Sequence, residues 1–284
     1  MPTDERACRA PAKINLGLHV LRRRADGYHD VETVLLRIGW ADRLAVRPAV
    51  VPAFTCSDPS LPTGAGNLCV QAAQRLAEAF DVETGAALHL EKRLPYGAGL
   101  GGGSSDAAHT LRLLDAHWGL GASPERLHNL AAEIGADVPF FLQEAPAALA
   151  TGRGTHLQPL TDPDRDPYRL PFALVVVAPG VAVSTAEAYR RVEPHESDRA
   201  DLAAAVRSND LARWRAELVN DFAPVVFAAH PEIEAARDLL VEAGAGYAAL
   251  TGSGGAVFGV FEDAGTAQAA VDVARQSGHR VFHE

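Results

Sequence analysis

Pro95 to Gly119 read PYGAGLGGGSSDAAHTLRLLDAHWG, with five glycines in the seven positions from Gly97 to Gly103. Ser104, Ser105 and Asp106 follow, and Ala107, Leu111, Leu114 and Trp118 then recur at helical spacing. Ahead of the run, Ala87 to Leu94 has the composition of a strand. A glycine-rich turn from strand to helix lets backbone N–H groups curl around an anion, and the helix N-terminus adds about half a positive charge. The segment predicts a phosphate cradle. A tight turn without a ligand is the plainer alternative, and a single GxG would support no more than that.

Other phosphate loops fit less well. A Walker A loop needs Lys after its last glycine, and Gly103 is followed by Ser104. Gly97, Gly99 and Gly102 satisfy GxGxxG, but the acidic residue expected about 20 positions later should end a parallel strand. Here Glu125 opens a helix instead. No HRD or DFG sequence accompanies the glycines, so a protein-kinase loop is excluded.

On the N-terminal side, Pro11 to Val20 read PAKINLGLHV. Ala12, Ile14, Leu16, Leu18 and Val20 alternate with Lys13, Asn15, Gly17 and His19, which predicts a strand with one apolar face. The other face carries its polar groups about 7 Å apart. RADGYH, residues 24 to 29, supplies an Asp-Gly turn into a second strand, Val31 to Ile38, with a third extended stretch at Leu44 to Pro52. Asn67 then caps a helix whose stripe is Leu68, Ala72, Leu76 and Phe80.

On the C-terminal side, Ser123 and Pro124 open a helix bearing Leu127, Leu130 and Ile134, and Gly135 closes it. Asp137 follows in GADVPFFL, residues 135 to 142. It reads as a helix cap with Pro139 early in the helix, or as a carboxylate against an apolar wall that orients or deprotonates a hydroxyl. TDPDRDPYRLP, residues 161 to 171, has linker composition. Beyond it come a strand at Phe172 to Ala178, helices to about Gly244, and strands at Tyr247 to Thr251 and Ala256 to Phe261. A helix at Ala264 to Gln276 and a strand at Arg280 to Phe282 complete a βαββαβ order, the ferredoxin-like pattern. TGSGG, residues 251 to 255, joins the two middle strands, as a simple turn or as a wall of the site.

The 284 residues are 48% hydrophobic and 22% charged, which suits a globular chain with a sizeable core and excludes disorder and collagen-like repeats. A net charge of −10 argues against a general nucleic-acid binder, and Arg22 to Arg24 reads as a solvated loop. No apolar run approaches the roughly 18 residues of a membrane span, and the first residues lack a signal-like apolar stretch, so a reducing cytoplasm is expected. Cys8, Cys56 and Cys69, without a CxxC pair, indicate neither a disulfide framework nor a zinc site. Of 26 basic residues only Lys13 and Lys92 are lysines. Lys13 reads as solvated or as a cation near phosphate, and Lys92 has no evident task.

Taken in order, PAKINLGLHVLRRRADGYH, PYGAGLGGGSSDAA, GADVPFFL and TGSGGAVF resemble the GHMP small-molecule kinase superfamily. GYH after Asp26 separates the chain from the homoserine, mevalonate and galactose branches. The resemblance implies an α+β fold of two domains with the site in the cleft between them. A ribosomal-S5-like N-terminal domain is expected over residues 1–160 and a ferredoxin-like C-terminal domain over 161–284. It implies ATP- and Mg2+-dependent phosphorylation of the 2-hydroxyl of 4-diphosphocytidyl-2-C-methyl-D-erythritol, in non-mevalonate isoprenoid synthesis. ATP would lie on Pro95, Gly97, Ala98, Gly99, Leu100, Gly101, Gly102, Gly103, Ser104 and Ser105. Lys13 and Asp137 match the family's catalytic pair, and Asn15, Tyr28, His29 and Tyr189 match substrate contacts. Tyr28 and Tyr189 would flank the cytosine while His29 bonds its edge. The match assigns no metal ligand. One departure is Thr155, in TGRGTHL, where many members carry Glu. A GHMP kinase for another alcohol and a nucleotide-binding regulatory module without chemistry remain alternatives; the presence of both Lys13 and Asp137 speaks against the second. No nucleic-acid or membrane partner is expected, and the chain is read as a monomer or homodimer.

Overall fold

The structure, a computed structural model, describes residues 5–162 and 167–284. Its contacts divide into two compact units, each built from three stretches of chain: Met1–Ala12, Ile38–Leu94 and Gly101–Glu144 in the first, and Lys13–Arg37, Pro95–Leu100 and Ala145–Glu284 in the second. Two long strands, β1 (Arg6–Arg23) and β2 (His29–Pro48), pair with each other, and each contributes residues to both units. The two extended stretches expected at Val31 to Ile38 and Leu44 to Pro52 are thus largely one strand of 20 residues, ending at Pro48. No Pro or Asn-Gly pair lies between Gly39 and Asp42 to turn the chain, and the strand continues through them.

In the first unit, Arg43–Pro48 of β2 pairs antiparallel with β4 (Ala86–Glu91), and β3 (Ala53–Cys56) adds parallel to β4. Three helices belong to this unit: α1 (Leu68–Ala79), α2 (Gly102–Trp118) and α3 (Pro124–Ile134). The expected caps are present, since Asn67 accepts from the Cys69 amide and Ser123 from the Arg126 amide, with Pro124 at the first helical position. The buried stripe of α1 is Cys69, Ala72 and Leu76, so Cys69 turns inward and Leu68 does not. Helix α2 buries Ala107, Leu111 and Leu114 as its spacing requires.

The second unit contains two sheets. Val31–Leu36 of β2 pairs antiparallel with β5 (Ala147–Gly152), which pairs with β6 (His156–Pro159). Then follow β7 (Ala173–Ala178), five helices, α4 (Thr185–Arg191), α5 (Leu202–Arg207), α6 (Leu211–Glu217), α7 (Ala223–Ala229) and α8 (Pro231–Glu242), and the strands β8 (Tyr247–Leu250) and β9 (Val257–Phe261). Helix α9 (Ala264–Gln276) and strand β10 (Arg280–His283) end the chain. The sheet order β10-β7-β9-β8, antiparallel throughout, is the ferredoxin-like arrangement that the βαββαβ reading predicts. One face of this sheet, with Val175, Val177, Val257 and Phe261, packs on Ile233, Ala236 and Leu240 of α8 and on Ala270, Val271 and Ala274 of α9.

Of the stretch read as a linker, residues 163–166 lie outside the described residues. Tyr168, just beyond, is fully buried and donates its hydroxyl to Asn209 Oδ1 at 2.9 Å. Among the described residues no helix is long and apolar enough to cross a membrane.

Phe258 is fully buried on the strand between β7 and β8. Phe258→Ala is expected to lower the unfolding free energy by about 3–5 kcal/mol, measured by urea titration with circular dichroism.

Candidate active site

Period two in β1 fixes two faces but not which of them is wet. Both are dry: Lys13, Asn15 and His19 are buried along with Ile14 and Leu16, so the solvated reading of Lys13 fails. A buried ammonium needs acceptors. Lys13 Nζ donates to Asn15 Oδ1 at 2.6 Å and to the carbonyl of Gly99 at 2.9 Å. Asn15 Nδ2 donates to Thr33 Oγ1 at 2.9 Å, and Thr33 Oγ1 donates to the carbonyl of Gly17 at 2.6 Å. Gly17 stands at φ +73° inside the strand, where a β-carbon would meet Leu202 Cδ2 at 2.6 Å. The imidazole of His19 is kept below its ordinary range by burial and then by the charge of Arg199, against Asp221.

The first half of the glycine run, Pro95–Leu100, belongs to the same unit. Its carbonyls are engaged: Gly97 O accepts from Val183 N and Gly255 N, and Ala98 O from Ala256 N. A Cβ on Gly99 would stand 2.1 Å from Thr251 O, and one on Gly255 would stand 1.9 Å from Val181 O. Gly97, at φ +68°, and Gly99, at φ +78°, therefore have a packing reason that the sequence reading did not supply. TGSGG is a wall against which the glycine run and Lys13 lie, since a Cβ on Gly252 would come 3.3 Å from Lys13 Nζ. Asn220, which sequence reasoning missed, donates from Nδ2 to the carbonyls of Leu250 at 2.8 Å and Gly252 at 2.9 Å. A lone buried Asn far along the chain carries no motif that would have revealed it.

The second half of the run, Gly101–Ser105, opens α2 in the other unit. Gly101 takes the cap position in the left-handed region at φ 67°, and no side chain caps the helix. The first intrahelical bond runs from Ser105 N to Gly101 O. The amides of Gly102, Gly103 and Ser104 come before it, where a helix has no acceptor of its own and an anion is favoured. Lys92, for which the sequence offered no task, lies under this turn. Its Nζ donates to Asp42 Oδ2 at 2.5 Å and to Asp106 Oδ2 at 2.8 Å.

Asp137 occupies the turn between α3 and a short 3₁₀ helix, Pro139–Leu142. It is not the cap. Val138 takes that position, in the right-handed helical region, and no side chain caps this helix. Asp137 is half-buried and is followed directly by the buried Val138, Pro139, Phe140 and Phe141.

The Asp-Gly turn forms as expected, with Gly27 at φ +85° and Tyr28 N donating to Asp26 Oδ1. Arg22 and Arg24 do more than face solvent: both grip Asp30, at 2.6 and 2.7 Å, and hold its carboxyl below the usual range. Tyr28 is 54% exposed, and the Arg153 guanidinium lies 3.6 Å from its ring centre. His29 stacks on Tyr189 at 5.0 Å, and Tyr189 meets Phe222 edge-on at 4.8 Å. Burial, then the charge of Arg23, keeps the His29 imidazole below its ordinary range. Lys13, Asn15, Tyr28, His29 and Tyr189 thus belong to one unit, and Gly102, Ser104, Ser105 and Asp137 to the other. A separate cavity of about 610 Å³, lined by Asn209, Arg215, Glu262 and Thr266 among others, contains none of these residues.

The sequence profile of the GHMP kinases N terminal domain matches residues 67–144, and that of the GHMP kinases C terminal domain matches residues 202–280. The chain belongs to the GHMP kinase family, and it is an ATP-dependent small-molecule kinase. Its relatives include the 4-diphosphocytidyl-2-C-methyl-D-erythritol kinase of Salinibacter ruber, 59% identical over 92% of each chain. The enzyme of the same name from Prosthecochloris aestuarii is 43% identical, over 93% of this chain and 92% of the relative. A crystal structure of 4-(cytidine 5'-diphospho)-2C-methyl-D-erythritol kinase superposes with a TM-score of 0.80 at 36% identity, covering 98% of both chains. Homoserine kinase from Cytophaga hutchinsonii, at 18% identity and a TM-score of 0.75 over 100% of this chain and 95% of that one, shares the fold.

Asn220→Ala would strip two buried carbonyls of their donor. The expected cost is about 1–3 kcal/mol for each unsatisfied group, read as a lowered Tm by calorimetry, with turnover falling alongside because the Gly252 wall loosens.

Proposed function

We propose that this kinase transfers the γ-phosphoryl group of ATP to the 2-hydroxyl of 4-diphosphocytidyl-2-C-methyl-D-erythritol, in the non-mevalonate route to isoprenoid precursors. The observation that carries this reading is the 59% identity, over 92% of both chains, to the Salinibacter enzyme of that name. The geometry is compatible with it. Phosphoryl transfer needs positioning and charge stabilisation more than covalent chemistry. The uncapped amides at the start of α2 offer the phosphates hydrogen bonds, and Pro95, Gly97, Ala98, Gly99 and Leu100 supply the rest of the nucleotide-binding run. Lys13, held by Asn15 and Gly99, bears on charge at the transferred group. Asp137 accepts the proton of the attacking hydroxyl. Mg2+, entering with the nucleotide, would neutralise phosphate charge, and no residue is assigned to it.

Tyr28 and Tyr189 are read as the two faces that hold cytosine, His29 as the donor or acceptor at its edge, and Asn15 as a further substrate contact. Arg153 now covers one face of Tyr28, so cytosine takes the other face or displaces the guanidinium. The enzyme is assigned to the cytoplasm, a compartment in keeping with three free cysteines.

An ADP-release assay tests the substrate, offering 4-diphosphocytidyl-2-C-methyl-D-erythritol, homoserine, mevalonate and galactose in parallel. Turnover with the first alone is expected, and preference for any other alcohol overturns the assignment. Asp137→Asn should leave ATP binding nearly intact and lower kcat by about 10²- to 10⁴-fold; undiminished kcat removes Asp137 as base. Tyr28→Ala should raise KM for the cytidylyl substrate through loss of about 1–3 kcal/mol of stacking, with KM for ATP unmoved.

A further inference from the structure

Asp42, Lys92 and Asp106 form a buried cluster within the first unit. Their side chains are 0%, 6% and 3% exposed. Two carboxylates and one ammonium leave a buried negative charge unless one carboxyl holds a proton, and such a charge is costly. The two carboxyls are not equivalent. Asp42 is the better supplied: Oδ1 accepts from the amides of Arg93 at 2.5 Å and Leu94 at 2.7 Å, and Oδ2 accepts from Lys92 with a lone pair to spare. The only donor to the Asp106 carboxyl among the described residues is Lys92, on Oδ2; its buried Oδ1 has no hydrogen-bond partner there, and the neighbouring Asp42 carboxyl is the acceptor for a proton on Asp106. The cluster also touches the helix start, because a Cβ on Gly102 would stand 3.1 Å from Lys92 Nζ.

We infer that Asp106 carries a proton in the working kinase, so that Asp42, Lys92 and Asp106 form an uncharged plug beneath Gly102, and that Asp106 is thereby a positioning residue for the phosphate-binding amides of α2. The inference rests on the reading of those amides as the nucleotide site, not on the identity of the alcohol. Ionising Asp106 would set a buried negative charge beside amides that must attract phosphate, so proton and nucleotide favour each other. The electrostatics agree. Burial and then Asp42 push the Asp106 carboxyl up to about 7 against the pull of Lys92. Lys92 itself is raised, because Asp106 and Asp42 outweigh the burial that would lower it. Among the described residues, Cys8 of β1 and Cys69 of α1 also feel the Asp106 charge; both thiols are raised by burial and then by Asp106, and so stay neutral through this range.

Between the ordinary carboxylate range and about pH 7, the folded chain holds a proton that the unfolded chain has released. Stability from this group is therefore present at the acid end of that window and is lost as pH rises through 7. Asp106→Asn keeps the shape and cannot ionise. For the full-length enzyme, calorimetric Kd values for MgATP from pH 6 to 8.5 should give a wild-type to Asp106→Asn ratio that climbs by about tenfold, titration of the nucleotide itself cancelling in the ratio. Carboxyl NMR of wild-type protein carrying 13C-aspartate should show one resonance with a midpoint near 7 that moves up with MgATP. This second measurement stands even if the variant does not fold. A flat ratio, a midpoint that ignores MgATP, or every aspartate titrating below about pH 5 overturns the inference. Gly101→Val, run alongside, separates the two readings: MgATP affinity that survives it defeats the nucleotide reading of α2. Affinity lost in Gly101→Val beside a flat Asp106→Asn ratio defeats the proton alone.

Discussion

Two backbones touch at Gly99 and Gly254, and much of the second unit depends on that contact. A Cβ on Gly254 would stand 2.0 Å from Gly99 N, a distance no side-chain adjustment can relieve because both partners are main chain. Only with hydrogen in that place can the glycine run lie flat on the turn after β8, and only then does the Gly99 carbonyl face Lys13 Nζ. Asn220 braces the same turn through two carbonyls. The position of the buried ammonium is thus set by backbone approach and by an amide more than 200 residues away in sequence.

A chain that writes arginine almost everywhere has kept two lysines, and both are buried. Arginine carries five donors on a rigid planar fork, and a dry site must satisfy each of them. Lysine concentrates its charge at one compact atom on a flexible stem. At residue 13 that atom meets one amide oxygen and one carbonyl, and at residue 92 it meets two carboxylates. Neither acceptor set is the pair of parallel oxygens that a guanidinium matches, so the composition bias stops where the geometry demands a point charge.

What the sequence made legible follows the reach of each signal. The strand, glycine run and helix from Ala87 to Trp118 are local, as are the caps at Asn67 and Ser123, and the βαββαβ order is a sum of local periods; all of these could be read. The failures share a cause in contacts distant along the chain. Period two around Lys13 identified a polar face, but only contact with Gly99 and Thr33 shows that it is dry. Lys92 looked idle because Asp42 lies 50 residues before it and Asp106 on a helix face after it. Asp137 carried a capping signature, yet the turn from Gly135 runs one residue further and gives the cap position to Val138.

Each unit is assembled from three separated stretches, because the chain passes from one unit to the other within β1, within β2 and within the glycine run, among other places. No single cut in the polypeptide can release either unit whole. Neither could have been gained or lost through one gene-fusion event at a single junction, and when a ribosome reaches Glu144, where the first unit ends, only Lys13–Arg37 and Pro95–Leu100 of the second have been made. Residues 13–37 must wait for partners beyond residue 145 while the first unit's last stretch, ending at Glu144, is still being synthesised. Such long-range closure slows folding in general, and for this chain it makes the order of synthesis and the order of assembly different things.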